Sequence, residues 1–231
     1  MPSRRSTPDS RPGPSTKGTA APRLDVVDPD GLVDMGTDLL TAREHRELER
    51  YADADLTDRD LEGATFSECV FEAVRLGGAK LRGARFVESV LSDSFAPELS
   101  APRTTWRDVR IGRPRWGSAE LFDASVQSVR LVGGKIDFLN FRGAELVDLQ
   151  IEGCSIGELD LGGVRARRVA LVDCRVGVLD VTRASLSDVD LRTTDIARID
   201  GVEGLRGATI DDLQLSLMAH AFADHLGVRV E

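Results

Sequence analysis

The sequence is poor in the residues that build ring-filled cores and catalytic centres. One tyrosine, two tryptophans and eight phenylalanines give an aromatic share of 5% in 231 residues, so a compact core built on large rings is not expected. Histidine occurs three times, at His45, His220 and His225. The last two are five apart and would not share a helix face as a metal pair does. Cysteine also occurs three times, as Cys69, Cys154 and Cys174; so sparse and odd a set argues against a disulfide framework and fits a reducing compartment. There is no CxxC, nucleophile elbow or phosphate loop, and no apolar run approaches the length of a membrane span. The basic N-terminus has no apolar stretch behind it, which excludes a secretory signal. These absences lead us to expect a cytoplasmic protein, not an enzyme, with no cofactor and no membrane association.

The net charge of −9 hides an asymmetry: residues 1–23 carry +4, leaving −13 for the rest. A folded part this acidic repels phosphates, so direct nucleic-acid binding is not expected. Residues 1–23 are rich in Pro, Ser, Thr and Arg and are expected to be disordered; residues 24–35 carry short apolar touches and are expected to lie extended against the domain. Together, 1–35 form an N-terminal tail. From Thr37 to about Ala52 the spacing of Leu39, Leu40, Leu48 and Tyr51 predicts a helix, assigned to 36–53.

Beyond this point a different period takes over. Stepping by five from Leu56 to Ile196 gives 29 positions, and every one is apolar. In a chain that is 41% apolar, chance would produce this at roughly 10⁻¹¹. Five fits neither helix nor single strand. It fits a coil in which each five-residue unit forms one side and turns a corner, its central residue pointing inward. The residue two before the centre is mostly small or apolar (Ala64, Ala84, Ala124, Ala144), the one just before it is usually polar (Asp60, Asn140, Asp190), and the one two after it is often Gly or Asp (Gly83, Gly143, Asp173, Asp188), as corners require.

Units such as Ala54-Asp55-Leu56-Thr57-Asp58 and Val189-Asp190-Leu191-Arg192-Thr193 resemble the pentapeptide-repeat family, whose pattern is a small residue, Asp or Asn, Leu or Phe, then two variable residues. The resemblance covers about residues 54–200. It implies a mainly β fold, a right-handed quadrilateral parallel β-helix with four units per coil over 54–204, about seven coils in all. The repeat slips phase after Ile196, and a helix over about Asp212–Leu226 is predicted, with Asp211 and Gln214 as a capping box and Gly227 as the stop. The C-terminal part, 205–231, is then a cap helix and tail, with Val228–Val230 as a short final strand.

With four units per coil, residues 20 apart stack. Glu120, Asn140, Asp160 and Asp180 should form one ladder, and Arg75, Arg115, Lys135 and Arg175 a ladder on an adjacent face. Glu120, Asp160, Asp180, Arg115, Lys135 and Arg175 are therefore candidate partner-binding residues. Leu213, Leu217, Met218 and Phe222 are candidates for a cap or a homodimer interface. Ser92 to Ser118, with Pro97, Pro102, Pro114, Trp106 and Trp116, departs from the pattern and is expected to be a distorted coil or an outward loop. The functional expectation is a non-catalytic scaffold that binds a protein partner through its solenoid surface. Two alternatives stand beside it. One is a DNA mimic that binds the type II topoisomerase gyrase and protects it from inhibitors, as the resemblance implies for some relatives. The other is a small-molecule binder or enzyme at the irregular 92–118 coil.

Overall fold

The computed structural model describes residues 18–37 and 40–230. Of the 29 apolar centres, 28 are buried; Ile196, at the C-terminal end, is half-buried. They fill the inside of a parallel β-solenoid. Its longest sheet stacks ten strands in the order of the climb, from Val33–Asp34 to Ala208–Thr209. Nine inter-strand steps at about 4.8 Å make a tube roughly 43 Å long, about two steps more than the repeat count predicts.

The strands of that sheet cover two adjacent sides. Thr105–Gly112, Ser125–Val132, Glu145–Glu152 and Arg165–Val172 each turn a corner midway. The corner residues Asp108, Ser128, Asp148 and Arg168 are all left-handed, with φ between 53° and 57°. A second sheet of six strands, Phe95–Ser100 through Asp195–Asp200, covers the third side. The fourth side is made of turns: Ala124 N donates to Leu121 O and Ala144 N to Phe141 O, while Leu121 N and Phe141 N reach the next coil at Asn140 O and Asp160 O. Between His45 and Asp200 registers advance by 20 residues, as in Arg115 to Lys135 and Leu146 to Ala166, while the end pairings Val33 to Glu49 and Val189 to Ala208 advance by 16 and 19.

Three expectations are corrected. Among the described residues of 36–53 there is no helix. His45–Glu47 and Glu49–Ala52 are strands, pairing with Thr65–Ser67 and Val70–Glu72, so the solenoid begins before residue 54. Tyr51 is a buried centre one step before Leu56 and stacks on Phe71 at 5.1 Å. One step further back the centre is Arg46, in register with Phe66 and ion-paired with Glu44 and Glu49; an arginine in a core position hid the repeat. Leu39 lies outside the described residues. The stretch 92–118 is neither loop nor irregular coil, because its strands hold register with the coils on either side. Trp106 and Trp116 are core residues, and the indole N–H groups donate to Thr104 Oγ1 at 2.7 Å and Ser94 Oγ at 3.1 Å, which satisfies the polar end of each ring. Residues 228–230 form no strand.

At the C-terminal end a 3-10 turn, Val202–Leu205, replaces a regular unit. Gly204 crosses directly over the coil below; a Cβ there would sit 1.8 Å from Val181 O, so only glycine permits the crossing. The helix Asp212–Leu226 then lies over the open end. Its start carries the predicted capping box: Gln214 N donates to Asp211 Oδ1 and Asp211 N to Gln214 Oε1. The same Gln214 donates through Nε2 to Leu191 O at 2.6 Å and Thr194 O at 2.7 Å, closing carbonyls that the last coil leaves exposed.

Candidate binding faces of the solenoid

The acidic ladder exists as register predicts: Glu120, Asn140, Asp160, Asp180 and Asp200 are successive strand partners. Its charge is not free. Arg142, two residues past Asn140, reaches Asp160 Oδ2 at 2.7 Å and Asp180 Oδ2 at 3.0 Å. Asn140 Nδ2 donates to Glu120 Oε2 at 2.6 Å. The inner oxygens are spent on the backbone, Asp160 Oδ1 accepting from Gly162 N and Asp180 Oδ1 from Thr182 N. Burial works to raise Asp180, but the Thr182 and Arg142 hydrogen bonds outweigh it and hold the carboxyl below its ordinary range. Sequence reasoning found the ladder and missed Arg142. The signal was available, since an arginine one after a centre points outward over the next coil.

The basic ladder is broken. Its row runs Arg75, Phe95, Arg115, Lys135, Ser155, Arg175, Asp195. Arg75 faces Asp55, and Arg175 is cut off from Lys135 by Ser155. What the structure does bring together is Phe95, Arg115 and Lys135. Phe95 is 49% exposed and stands one rung, about 4.8 Å, from Arg115. These three line an open groove of about 900 Å³ together with Asp93, Arg113 and Trp116. Asp93 and Arg113 close one wall as an ion pair at 2.5 Å, which holds Asp93 below its ordinary range. Pro97 and Gly117 also line it, so part of its floor carries little side chain.

The C-terminal candidates divide by role. Met218 is buried and Phe222 half-buried, facing the solenoid end, whereas Leu213 and Leu217 are 69% and 67% exposed. The first pair belongs to the cap; the second, with Leu215, is apolar surface left uncovered. The cysteines are buried free thiols. Among the described residues no group of three or more His, Cys, Asp or Glu is placed to hold a metal, and no helix is long and apolar enough to cross a membrane.

No curated protein matches the sequence. Similar solved structures include trypsin-treated QnrB1, a plasmid-mediated fluoroquinolone resistance protein, at 18% identity over 86% of this chain and 94% of that one, TM-score 0.43. Full-length QnrB1 is similar at 16% identity over 82% and 94%, TM-score 0.38. HetL, a pentapeptide-repeat protein involved in heterocyst differentiation regulation from the cyanobacterium Nostoc sp. strain PCC 7120, is similar at 17% over 74% and 91%, TM-score 0.36. The family model for pentapeptide repeats matches eight copies across residues 52–92. The same five-residue step carries on to Ile196 in one continuous coil, so the chain carries pentapeptide repeats beyond the matched residues.

Proposed function

We propose that the chain is a non-catalytic cytoplasmic scaffold that binds a protein partner through its solenoid surface, with the Phe95–Arg115–Lys135 groove as the docking site. The carrying observation is register: an exposed aromatic ring and two cations are stacked on successive rungs over an open trough. Such a surface suits an extended acidic segment bearing an apolar residue, with the ring as anchor and the cations giving charge complementarity. The groove's Asp93 and Arg113 are locked to each other, which favours binding over chemistry. The test is capture from the native cell extract by wild type, by Arg115→Glu/Lys135→Glu, and by Arg82→Glu on another side. A partner held by wild type and Arg82→Glu but lost by the double variant supports the reading; retention by the double variant overturns it.

A DNA mimic acting on gyrase is the second reading. The −13 of residues 24–231 and the extension of the acidic ladder to Asp200 favour it. Arg142 weighs against it, because a duplex surface carries no cation between its charges. Inhibition of purified gyrase supercoiling, or relief of quinolone poisoning, at micromolar protein would support mimicry; neither effect would reject it. Homodimerisation through Leu213 and Leu217 belongs to either reading. Sedimentation that shows a dimer for wild type and a monomer for Leu213→Glu/Leu217→Glu supports it, and a wild-type monomer removes it.

A further inference from the structure

One segment is not needed to close the repeat, yet it runs the length of the tube. Residues 18–35 lie along the corner row Leu48, Glu68, Glu88, Asp108, Ser128, Asp148, Arg168, Asp188, in the direction opposite to the climb. Thr19 Oγ1 shares a hydrogen bond with Thr209 Oγ1 at the far end. Ala20 N donates to Asp188 Oδ1 at 3.1 Å, Arg23 N to Asp148 Oδ1 at 2.9 Å and Asp25 N to Ser128 Oγ at 3.0 Å. At the other end Val33 N and Met35 N reach Leu48 O and Arg50 O, both at 2.9 Å. Pro22, Leu24, Val27, Pro29 and Leu32 are half-buried along the way. Beside the corner, Val70, Val90 and Ala170 occupy outward positions of the repeat and are nonetheless buried.

The two ends are pinned and the middle is not. Among the described residues no backbone hydrogen bond of residues 26–32 reaches the solenoid. Beneath them is an open cavity of about 300 Å³ whose lining includes five carboxylates, Asp25 and Asp28 of the segment and Glu68, Glu88 and Asp108 of the corner. Cations facing this cluster are few. Arg107 Nε stands 3.7 Å from Asp108 Oδ2. Arg110 and Arg130 line the neighbouring cavity beside Asp25, and Arg130 is held by Glu152 at 2.6 Å. Burial and then the Asp25 carboxyl raise Asp108 against the lowering hydrogen bond of Ser128.

We propose that residues 18–35 form a charge-gated strap, fastened at both ends and loosened at its middle by repulsion between Asp25, Asp28 and the corner carboxylates Glu68, Glu88 and Asp108. Screening or neutralising those charges draws the middle onto the corner; full ionisation at low salt lifts it and uncovers the Val70–Val90 row. Hydrogen exchange read by mass spectrometry on the full chain, at one pH, tests this. Between about 0.01 M and about 1 M salt the screening length falls from about 30 Å to about 3 Å, and protection of residues 24–32 should rise about two- to fivefold, the range for a few exposed charges. Glu88→Gln/Asp108→Asn should show the raised protection already at low salt and little further change. Protection that ignores both salt and the variant, or that falls with either, overturns the proposal. The salt arm uses the unmodified chain, so a variant that folds poorly does not shelter it.

Discussion

Phe86 is the ring on which the N-terminal half of the core depends. It is 3% exposed, lies parallel to Phe66 at 5.2 Å and to Trp106 at 4.3 Å, and meets the edge of Phe71 at 5.9 Å. Truncating a buried phenylalanine to alanine costs about 3–5 kcal/mol, depending on how far the site can collapse. Here it cannot. The rings above and below hang on strands fixed in register by backbone ladders, about 4.8 Å apart, so a missing ring leaves an empty storey. The two lost stacks, about 0.5–1.5 kcal/mol each, push Phe86→Ala to the top of the range, about 5 kcal/mol. That is a third or more of the stability of a typical domain. Phe95→Ala, nine residues on but 49% exposed, should cost no more than about 0.5 kcal/mol. Urea unfolding followed by far-UV circular dichroism measures both from midpoint and slope. A cost for Phe86→Ala below about 2 kcal/mol, or one equal to that of Phe95→Ala, would show that the coil repacks and that the stacked-storey account is wrong.

Gln214→Leu strips Thr194 O of its donor and leaves Leu191 O with Thr194 N alone; an unpaired buried group costs about 1–3 kcal/mol, and residues 185–200 should exchange hydrogen faster while 105–172 do not. Acid should weaken the fold in part through Asp148, whose carboxylate takes two hydrogen bonds from Arg168, at 2.6 and 2.5 Å, and is held below its ordinary value by that guanidinium. A depressed folded-state pKa contributes stability above the unfolded value near 3.9 and loses it as pH falls through the lower folded value, so Asp148→Asn should flatten the acid limb of a pH–stability profile, and an unchanged limb would count against the pair. The thiols should be inert in the native state near neutral pH. Burial pushes Cys69 up to about 11; in the Cys154–Cys174 pair the shared hydrogen bond raises Cys154 and lowers Cys174 to about 7, so Cys174 is protected by its burial alone. Ellman's reagent should label them only as the protein unfolds, and rapid native labelling would refute this.

The repeat was legible because burial and sequence share one period: a centre every fifth residue must be apolar, and nothing else in the chain competes with that demand. Legibility failed where one letter broke the rule for a local reason. Arg46 holds a centre at the open end, where Glu44 and Glu49 neutralise it, and without that step Tyr51 read as the end of a helix. Trp106 and Trp116 looked too large for a narrow tube, yet each brings its own hydroxyl partner, Thr104 and Ser94, at the inward position two before a centre. The strap is a harder case, since it is tied by backbone donors, and a backbone N–H carries no letter. What it does mark is the surface beneath. The position before a centre faces water and is usually polar or charged, but at Val70, Val90 and Ala170 it is apolar and buried. Those three share one row, beside corner residues Asp148 and Asp188, whose carboxyls accept the strap's N–H groups. An outward row that turns apolar at Val70, Val90 and Ala170, next to acceptors spaced at multiples of 20, is the pattern a covering strand requires; on the other edges that position is polar or charged except at the exposed Phe95, and no described segment lies over it.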